Sequence, residues 1–432
     1  MNPTPADRPA FRPEPPDLLA GRGIALGVSG SIAAYKALAL TSGLVQAGAR
    51  VDVILTQAAT ELLRPLAFQA LTHRPVVGDL WAPGSELAMD HLAIAQRAEL
   101  LLVAPATADR LSRLALGLAG DALDTTALAS TAPLVLAPAM EPNMWAHPAI
   151  QAHVASLTAR GAHFVGPWEG RLASGKLGLG RMAEPETILD HLRWLLARQG
   201  DLAGRSILIT AGPTREPLDP LRFLSNRSTG SMGFALARVA RDRGARVTLI
   251  HGPVAQDAPV GVATVPVERA LDMQAAVLDL APACDALIMS AAVADYRPAA
   301  PSERKIKKQP GDLRLELSRN PDILGSLAEA LAEGSGPPPY RVGFAAETED
   351  LETNGRAKLQ RKGLDLVVAN RVPASFGAGE HEVLLLTPDA SEALQGASKL
   401  AVAAAILDRV SQALGASPGT GTDVSVPRSE RA

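Results

Sequence analysis

Twice along the chain, a short apolar run ends in small residues, followed by an alanine- and leucine-rich stretch and a second apolar run. The first instance is Gly23-Ile-Ala-Leu-Gly-Val28, the turn Ser29-Gly30-Ser31, a helical stretch to about Ala47, and a strand over Arg50 to Thr56. The second is the strand Ser206-Ile-Leu-Ile-Thr210, a helix over Phe234 to Arg243, and a strand over Arg246 to Ile250. Near-continuous apolar runs alternating with helix-length segments predict strands buried on both faces of parallel sheets, joined by crossover helices. Leu100 to Ala104 and Leu134 to Ala137 add strands to the first unit. Two local echoes suggest a repeated architecture: Gly48-Ala-Arg-Val51 recurs as Gly244-Ala-Arg-Val247, and Ala104-Pro-Ala-Thr-Ala-Asp109 is loosely mirrored by Ala291-Ala-Val-Ala-Asp295.

The pattern fails in three places, and these set the expected boundaries. Residues 1–20 are proline-rich and 415–432 are rich in Gly, Ser, Thr and Pro, so both read as disordered tails. Polar residues and glycines break the periodicity over 199–204, the expected linker between domains at 21–198 and 205–414. A length of 432 residues accommodates two such domains. The balance of Lys+Arg 42 against Asp+Glu 45, net charge −3, argues against a nucleic-acid or membrane-surface protein. Aromatic content of 3% leaves no stacking platform for single-stranded nucleic acid. No apolar run reaches the roughly 18 residues that span a bilayer, and the N-terminal prolines break any signal-peptide core, so a cytoplasmic location is expected. One cysteine, Cys284, in the apolar run to Ser290, excludes a disulfide framework and reads as a buried thiol beside a strand.

The candidate chemistry concentrates where the two units differ. After the first strand of the second unit, an insertion reads Gly212-Pro-Thr-Arg-Glu-Pro-Leu-Asp-Pro220 and then Ser225-Asn-Arg-Ser-Thr-Gly-Ser-Met-Gly233. Ligands of open α/β sheets bind beyond the carboxyl ends of strands, where this insertion must lie. Gly230 and Gly233 permit close backbone approach, the helix opening near Ser231 offers free N–H groups to an anion, and Thr214, Ser225, Asn226, Ser228 and Thr229 add neutral donors. The run therefore reads as a loop that handles a phosphorylated substrate. Asp295 also follows a buried strand and suits a Mg²⁺ held largely through phosphates. Lys358 and Lys362 share one helix face, and Lys305 opens the loop run Lys305-Ile-Lys-Lys308.

Taken in order, AGPTREPLDP, SNRSTGSMGFALA, AAVADYRP, KIKK, NPDIL and GFAAET resemble the phosphopantothenate–cysteine ligase half of the bifunctional coenzyme A biosynthesis proteins. The first domain resembles the FMN-dependent phosphopantothenoylcysteine decarboxylase half, and together the likeness covers about Gly21 to Val410. It implies two Rossmann-like α/β domains with parallel sheets, a flavoprotein-type decarboxylase domain followed by a ligase domain. It further implies FMN, Mg²⁺ and CTP, the small-molecule substrates 4′-phosphopantothenate and cysteine, and a homo-oligomer. By motif match, Asn226 supports formation of an acyl-cytidylate. Met289, Ser290, Ala291, Pro321, Asp322, Ile323, Leu324 and Phe344 cradle the cytidine. Asp295, Lys305, Lys358 and Lys362 surround the phosphates, with Asp295 on the metal. Many relatives have Lys where Ser231 stands, so phosphate contacts at that turn are expected to be weaker or supplied by Arg227.

In the first domain, the strand-to-helix turn could take a phosphate on its N–H groups but lacks full G-x-G-x-x-G spacing, and Asp52 lies inside the second strand, which disfavours a dinucleotide. The resemblance instead implies FMN on Ser29, Gly30, Ser31, Ile32, Thr56, Ala104, Pro105, Ala106 and Thr107, with His91 as catalytic base. Two positions depart from the family pattern. Pro138-Ala-Met-Glu-Pro-Asn-Met144 has Glu141 where the substrate-clamping motif has Asn, and Leu172-Ala-Ser-Gly175 has Ser174 where a proton-donating cysteine is expected. Either Glu141 serves as the acid or the decarboxylation step is impaired. The alternative to a bifunctional enzyme is a ligase whose first domain is an FMN-binding scaffold.

Overall fold

The computed structural model describes residues 12–78, 90–308, 310, 312–333, 336–347, 349–371 and 383–415. The chain divides into two compact units, one of residues 16–196 and one of residues 197–432 with 1–15.

The first unit is a six-stranded parallel sheet of β1 (Gly23–Val28), β2 (Arg50–Leu55), β3 (Val76–Val77), β4 (Leu100–Ala106), β5 (Leu134–Pro138) and β6 (His163–Phe164), in the order β3-β2-β1-β4-β5-β6. Its helices are α1 (Tyr35–Gln46), α2 (Gln57–Thr60), α3 (Pro65–Thr72), α4 (Asp90–Arg97), α5 (Ala108–Leu116), α6 (Ala122–Ala129), α7 (Pro142–Trp145), α8 (Pro148–Ala159) and α9 (Pro185–Leu196). Both sheet faces are covered, which is why β1 reads as an unbroken apolar run, buried at all of its positions. An antiparallel hairpin, β7 (Trp168–Arg171) and β8 (Leu177–Arg181), stands apart from the sheet.

The second unit repeats the plan. Its main sheet contains β9 (Ser206–Ala211), β12 (Arg246–His251), β13 (Ala263–Pro266), β14 (Ala286–Met289), β17 (Tyr340–Glu347), β18 (Leu366–Arg371), β19 (Val383–Leu386) and β20 (Ser391–Leu394), in the order β13-β12-β9-β14-β17-β18-β19-β20. It is parallel as far as β18 and closes with two antiparallel strands. Two side ladders lie outside it: β10 (Arg215–Asp219) with β11 (Arg222–Ser225), and β15 (Tyr296–Pro298) with β16 (Leu317–Arg319). The helices are α10 (Ser231–Asp242), α11 (Ala270–Leu280), α12 (Ile323–Glu333), α13 (Leu351–Lys362) and α14 (Lys399–Leu414), with α14 packed along α10.

In each sheet the order of strands reverses between the first strand of the unit and the fourth, β1 beside β4 and β9 beside β14. Chains leaving neighbouring strands at that point turn to opposite faces and open a crevice at the carboxyl ends. Among the described residues no helix is long and apolar enough to cross a membrane.

Three expectations change. The proline-rich tail expected over 1–20 ends earlier: Leu19 is fully buried in the first unit's core, because Asp17 to Ala20 form a turn that carries it under the sheet. The 199–204 segment expected as a linker belongs to the second unit, where Leu202 is 1% exposed and its N–H donates to the Arg243 carbonyl at 2.9 Å. The inserted run after β9 is built around the β10–β11 hairpin, not an open loop. The C-terminal tail from 416 and residues 1–11 lie outside the described residues.

Replacing Leu202 by Ala should lower the unfolding free energy of the second unit by about 2–4 kcal/mol in urea titrations, the cost of a cavity in a packed core. A loss below about 0.5 kcal/mol, usual for exposed positions, would return Leu202 to a linker.

Candidate functional sites at the two crevices

A buried hydroxyl ties the strand ends at the first reversal. Ser29, 2% exposed just after β1, donates from Oγ to the Pro105 carbonyl at 2.7 Å and accepts from the Thr107 N–H at 3.1 Å. Three helical starts then face one space: Ser31 caps the short turn Ile32–Ala34, Thr56 caps α2 and Thr107 caps α5. A cleft of about 800 Å³ opens there, lined by Ser29, Gly30, Ser31, Thr56 and Thr107 among others. A Cβ on Gly30 would stand 2.4 Å from the Ala58 Cβ, so only glycine lets the turn lie against α2. Hydroxyls and helix N-termini around a glycine cradle fit a phosphorylated cofactor of flavin mononucleotide size.

Ile32, Ala104, Pro105 and Ala106 do not line this cleft: Ile32 is exposed, and Ala104 and Ala106 are buried within the strand. The opposite wall carries charges that the sequence reading missed. Arg110, 3% exposed, binds Asp121 at 2.6 and 3.1 Å and also Asp124, which is fully buried. Burial alone would raise the Asp121 carboxyl, but the Arg110 hydrogen bond, the Asp124 N–H and the neighbouring guanidinium charges outweigh it and hold it below its ordinary value.

The proposed decarboxylase side chains are not gathered as expected. His91 lies on α4, which packs against α6, and it is not among the cleft's lining residues. Its Nδ1 is buried and has no hydrogen-bond partner among the described residues. Glu141 precedes α7, next to the lining residues Met140 and Met144, and its carboxylate stands 3.9 Å from the Lys176 ammonium. Ser174 is exposed in the turn between β7 and β8.

The second reversal uses the same device. Ser290, after β14, donates to the Thr210 carbonyl at 2.5 Å, and Thr210 Oγ1 accepts from the Ala291 N–H at 3.1 Å. Ser290 is thereby a structural tie and does not line the cavity. Asn226 reaches across from the inserted run, its Nδ2 donating to the Ala292 and Val293 carbonyls at 3.0 and 3.3 Å. Thr214 Oγ1 accepts from the Ala294 N–H at 3.0 Å. Gly233 is required beside these ties, since a Cβ there would meet the Ala211 Cβ at 2.4 Å and the Ser290 Oγ at 2.8 Å.

The strand ends border a cavity of about 740 Å³ that gathers most of the expected nucleotide residues: Met289, Ala291, Asp295, Pro321, Asp322, Ile323, Leu324, Phe344, Lys358 and Lys362. Lys362 pairs with Asp322, and Lys358 Nζ donates to the Phe344 carbonyl at 2.5 Å. Burial pushes the Lys358 ammonium below its ordinary value, with the Lys362 and Arg361 charges adding to the effect against Glu347. Burial would raise the Asp322 carboxyl, but the Lys362 hydrogen bond and the Gly325 N–H outweigh it and hold it below its ordinary value. Arg319 and Arg361 also line the cavity and were missed, because isolated arginines in polar segments carry no periodic signal.

Lys305 is not among the residues lining the cavity. Its loop is moored to the β10–β11 hairpin through Asp219, which accepts from the Ile306 N–H at 3.1 Å, while Arg222 donates to the Ile306 carbonyl at 2.8 Å. The Arg222 hydrogen bond, opposed by burial and helped by three backbone N–H groups, holds the Asp219 carboxyl far below its ordinary value. Among the described residues there is no group of three His, Cys, Asp or Glu side chains able to hold a metal alone. A Mg²⁺ at Asp295 would therefore draw its remaining ligands from phosphate oxygens and water.

Two family models match the chain: one described as flavoprotein over residues 14–196, the other as DNA/pantothenate metabolism flavoprotein C-terminal domain over residues 202–414. The chain is 44% identical over 394 residues to the coenzyme A biosynthesis bifunctional protein CoaBC of Vibrio cholerae serotype O1, covering 90% of this chain and 98% of that one. It is 46% identical over 400 residues to the protein of the same name from Bacillus subtilis, covering 91% and 97%. The protein of that name from Mycobacterium bovis is 45% identical over 401 residues, covering 90% and 96%.

Replacing Gly30 by Ala should yield full-length protein whose first unit keeps its far-UV circular dichroism but copurifies with at least tenfold less flavin, since the added methyl forces the turn off α2. Unchanged flavin content would remove the glycine turn from the binding site.

Proposed function

The chain belongs to the family of coenzyme A biosynthesis bifunctional proteins, and we propose from that membership that its second unit joins cysteine to 4′-phosphopantothenate using CTP and its first decarboxylates the product to 4′-phosphopantetheine using FMN. The observation that carries the ligase half is the 740 Å³ cavity at the second reversal, where Asp295, Lys358, Lys362 and Arg361 meet the apolar residues Ile323, Leu324 and Phe344. The apolar groups suit a base and ribose, and the cations beside them suit a triphosphate.

Ligation makes two demands on these side chains. The carboxylate of 4′-phosphopantothenate attacks the α-phosphorus of CTP, so two anions must approach, and pyrophosphate must leave. Lys358, Lys362 and Arg361 lower the repulsion, and Mg²⁺ on Asp295 would neutralise the departing phosphates. Asn226 fixes the inserted run against the strand end that borders the cavity and so sets where the acyl group lies. The amine of cysteine then displaces CMP from the acyl-cytidylate. Lys305 is assigned to the phosphates by motif alone, and the Asp219 mooring defines the position from which it would reach them.

In the first unit, the Ser29 to Ser31 turn and the starts of α2 and α5 would hold the phosphate of FMN. When bound, FMN supplies the two-electron oxidation that turns the cysteinyl thiol into an electron sink for loss of CO₂, and returns those electrons afterwards. Glu141, which precedes α7 next to the cleft and lies 3.9 Å from the Lys176 ammonium, keeps the role of acid from the motif position alone. His91 keeps the role of base from the motif match alone. The exposed position of Ser174 and the ion pair on Glu141 favour, as a second reading, a ligase whose flavin domain decarboxylates slowly or not at all. We further propose a homo-oligomer, consistent with the exposed Leu116, Leu118 and Leu128 at the ends of α5 and α6.

Incubation with 4′-phosphopantothenate, cysteine, CTP and Mg²⁺ should release CO₂ and yield 4′-phosphopantetheine by mass spectrometry; accumulation of phosphopantothenoylcysteine instead would select the second reading. Both Asn226→Ala and Asn226→Asp should slow CTP-dependent pyrophosphate release at least about 100-fold, the latter because a carboxylate would face two carbonyl oxygens. Full pyrophosphate release by either variant would remove Asn226 from the ligase machinery.

A further inference from the structure

One wall of the first unit's cleft is built from charge. Arg110 on α5 is 3% exposed and donates to Asp121 at 2.6 and 3.1 Å and to Asp124, which is fully buried. Its Nε is buried and has no hydrogen-bond partner among the described residues. Arg113 donates to Asp124 at 3.2 Å and to Asp109 at 3.0 Å, so the pairs form one network between α5 and the start of α6. Burying such a network returns little stability, so its place on a cleft wall points to a role in the cleft. Asp124 does not line the cleft, whereas Asp121 does, with its side chain 30% exposed.

Asp121 is held with one acceptor site to spare. Its Oδ1 accepts from the Asp124 N–H at 2.8 Å and from Arg110, and its Oδ2 accepts from Arg110 alone among the described residues. A carboxylate has about four acceptor sites, two on each oxygen, so Oδ2 keeps one. Burial opposes ionisation, but the Arg110 hydrogen bond and the Asp124 N–H outweigh it and keep the group an acceptor only. Asp109, the other carboxylate lining the cleft, is 72% exposed and open to water. We propose that Asp121 binds the flavin, Oδ2 accepting a hydrogen bond from a donor of the cofactor, and that Arg110 fixes the carboxylate for that contact. The proposal rests on the flavin reading of this unit. A carboxylate repels the cofactor's phosphate, which the helix starts would hold, so Asp121 takes a donor from the rest of the molecule. Oxidised flavin offers two kinds, the ring imide N–H and the ribityl hydroxyls, and the test separates them.

For the test, the full-length chain is reconstituted with FMN, with 3-methyl-FMN, which lacks the imide N–H, and with an analogue carrying an alkyl phosphate chain in place of the ribityl phosphate. Release of each flavin on dilution is followed by recovery of its fluorescence. Asp121→Asn keeps a capping oxygen for α6 and should release FMN at least about tenfold faster than the wild-type chain. With the analogue that lacks the donor taken by Asp121, the substitution should change release by less than about twofold, because the contact is already missing. Loss of the effect with 3-methyl-FMN assigns the imide, and loss with the alkyl analogue assigns a hydroxyl. An unchanged FMN release rate, or an equal acceleration with all three flavins, would overturn the proposal. Asp121→Ser, which also caps a helix, carries the same test should Asp121→Asn fail to fold. A wild-type chain that retains none of the three flavins would sink the flavin reading itself, and the proposal with it.

Discussion

Each unit depends on a hydroxyl that holds together two strand ends at the point where the sheet reverses its order. Ser29 bridges β1 and β4, and Thr210 with Ser290 bridges β9 and β14. Without these ties the carboxyl ends would carry unpaired N–H and C=O groups beside an open crevice, where burial makes each loss costly. With them the strand ends become a rigid rim from which helix starts and polar loops face a ligand. The proposed flavin and nucleotide sites would share this generic rim and differ in their loops.

The loops differ in how they are anchored. In the first unit the turn after β1 is short and its fit depends on Gly30 lying against α2. In the second, the long insertion is held by Asn226 on the strand-end carbonyls, while Asp219 on the β10–β11 hairpin moors the Lys305 loop. Such an arrangement lets cations arrive from distant parts of the chain: Arg319 from β16, Lys358 and Lys362 from α13. Convergence of like charges on a cavity is unfavourable on its own, and a polyanionic ligand is what resolves it.

Most of the fold could be read from the sequence because buried parallel strands write themselves as apolar runs, as β1, β4 and β9 do. The two-residue strands β3 and β6 have no such signature, and the hairpin β10–β11 is rich in charge and proline, so these were invisible. That Asp322, Phe344 and Lys358 belong together was legible through ordered motifs, and they line one cavity. What lay hidden was pairing across sequence distance: Arg110 with Asp121 and Asp124, Asp219 with the Lys305 loop, and Ser290 spent on a strand tie rather than a ligand. Leu202 was misplaced for a related reason, since a single apolar residue among glycines and charges gives no period although it fills a core position.

The central claim is that one architecture holds a flavin at its first reversal and a cytidine nucleotide at its second. A crystal structure of the full chain grown with FMN and CTP tests it most directly. The account predicts flavin density against the Ser29 to Ser31 turn and the start of α5, and nucleotide density between Phe344 and Asp322 with its phosphates toward Lys358 and Lys362. Both nucleotides in one unit, or a cytidine outside the cavity at the ends of β14 and β17, would contradict it.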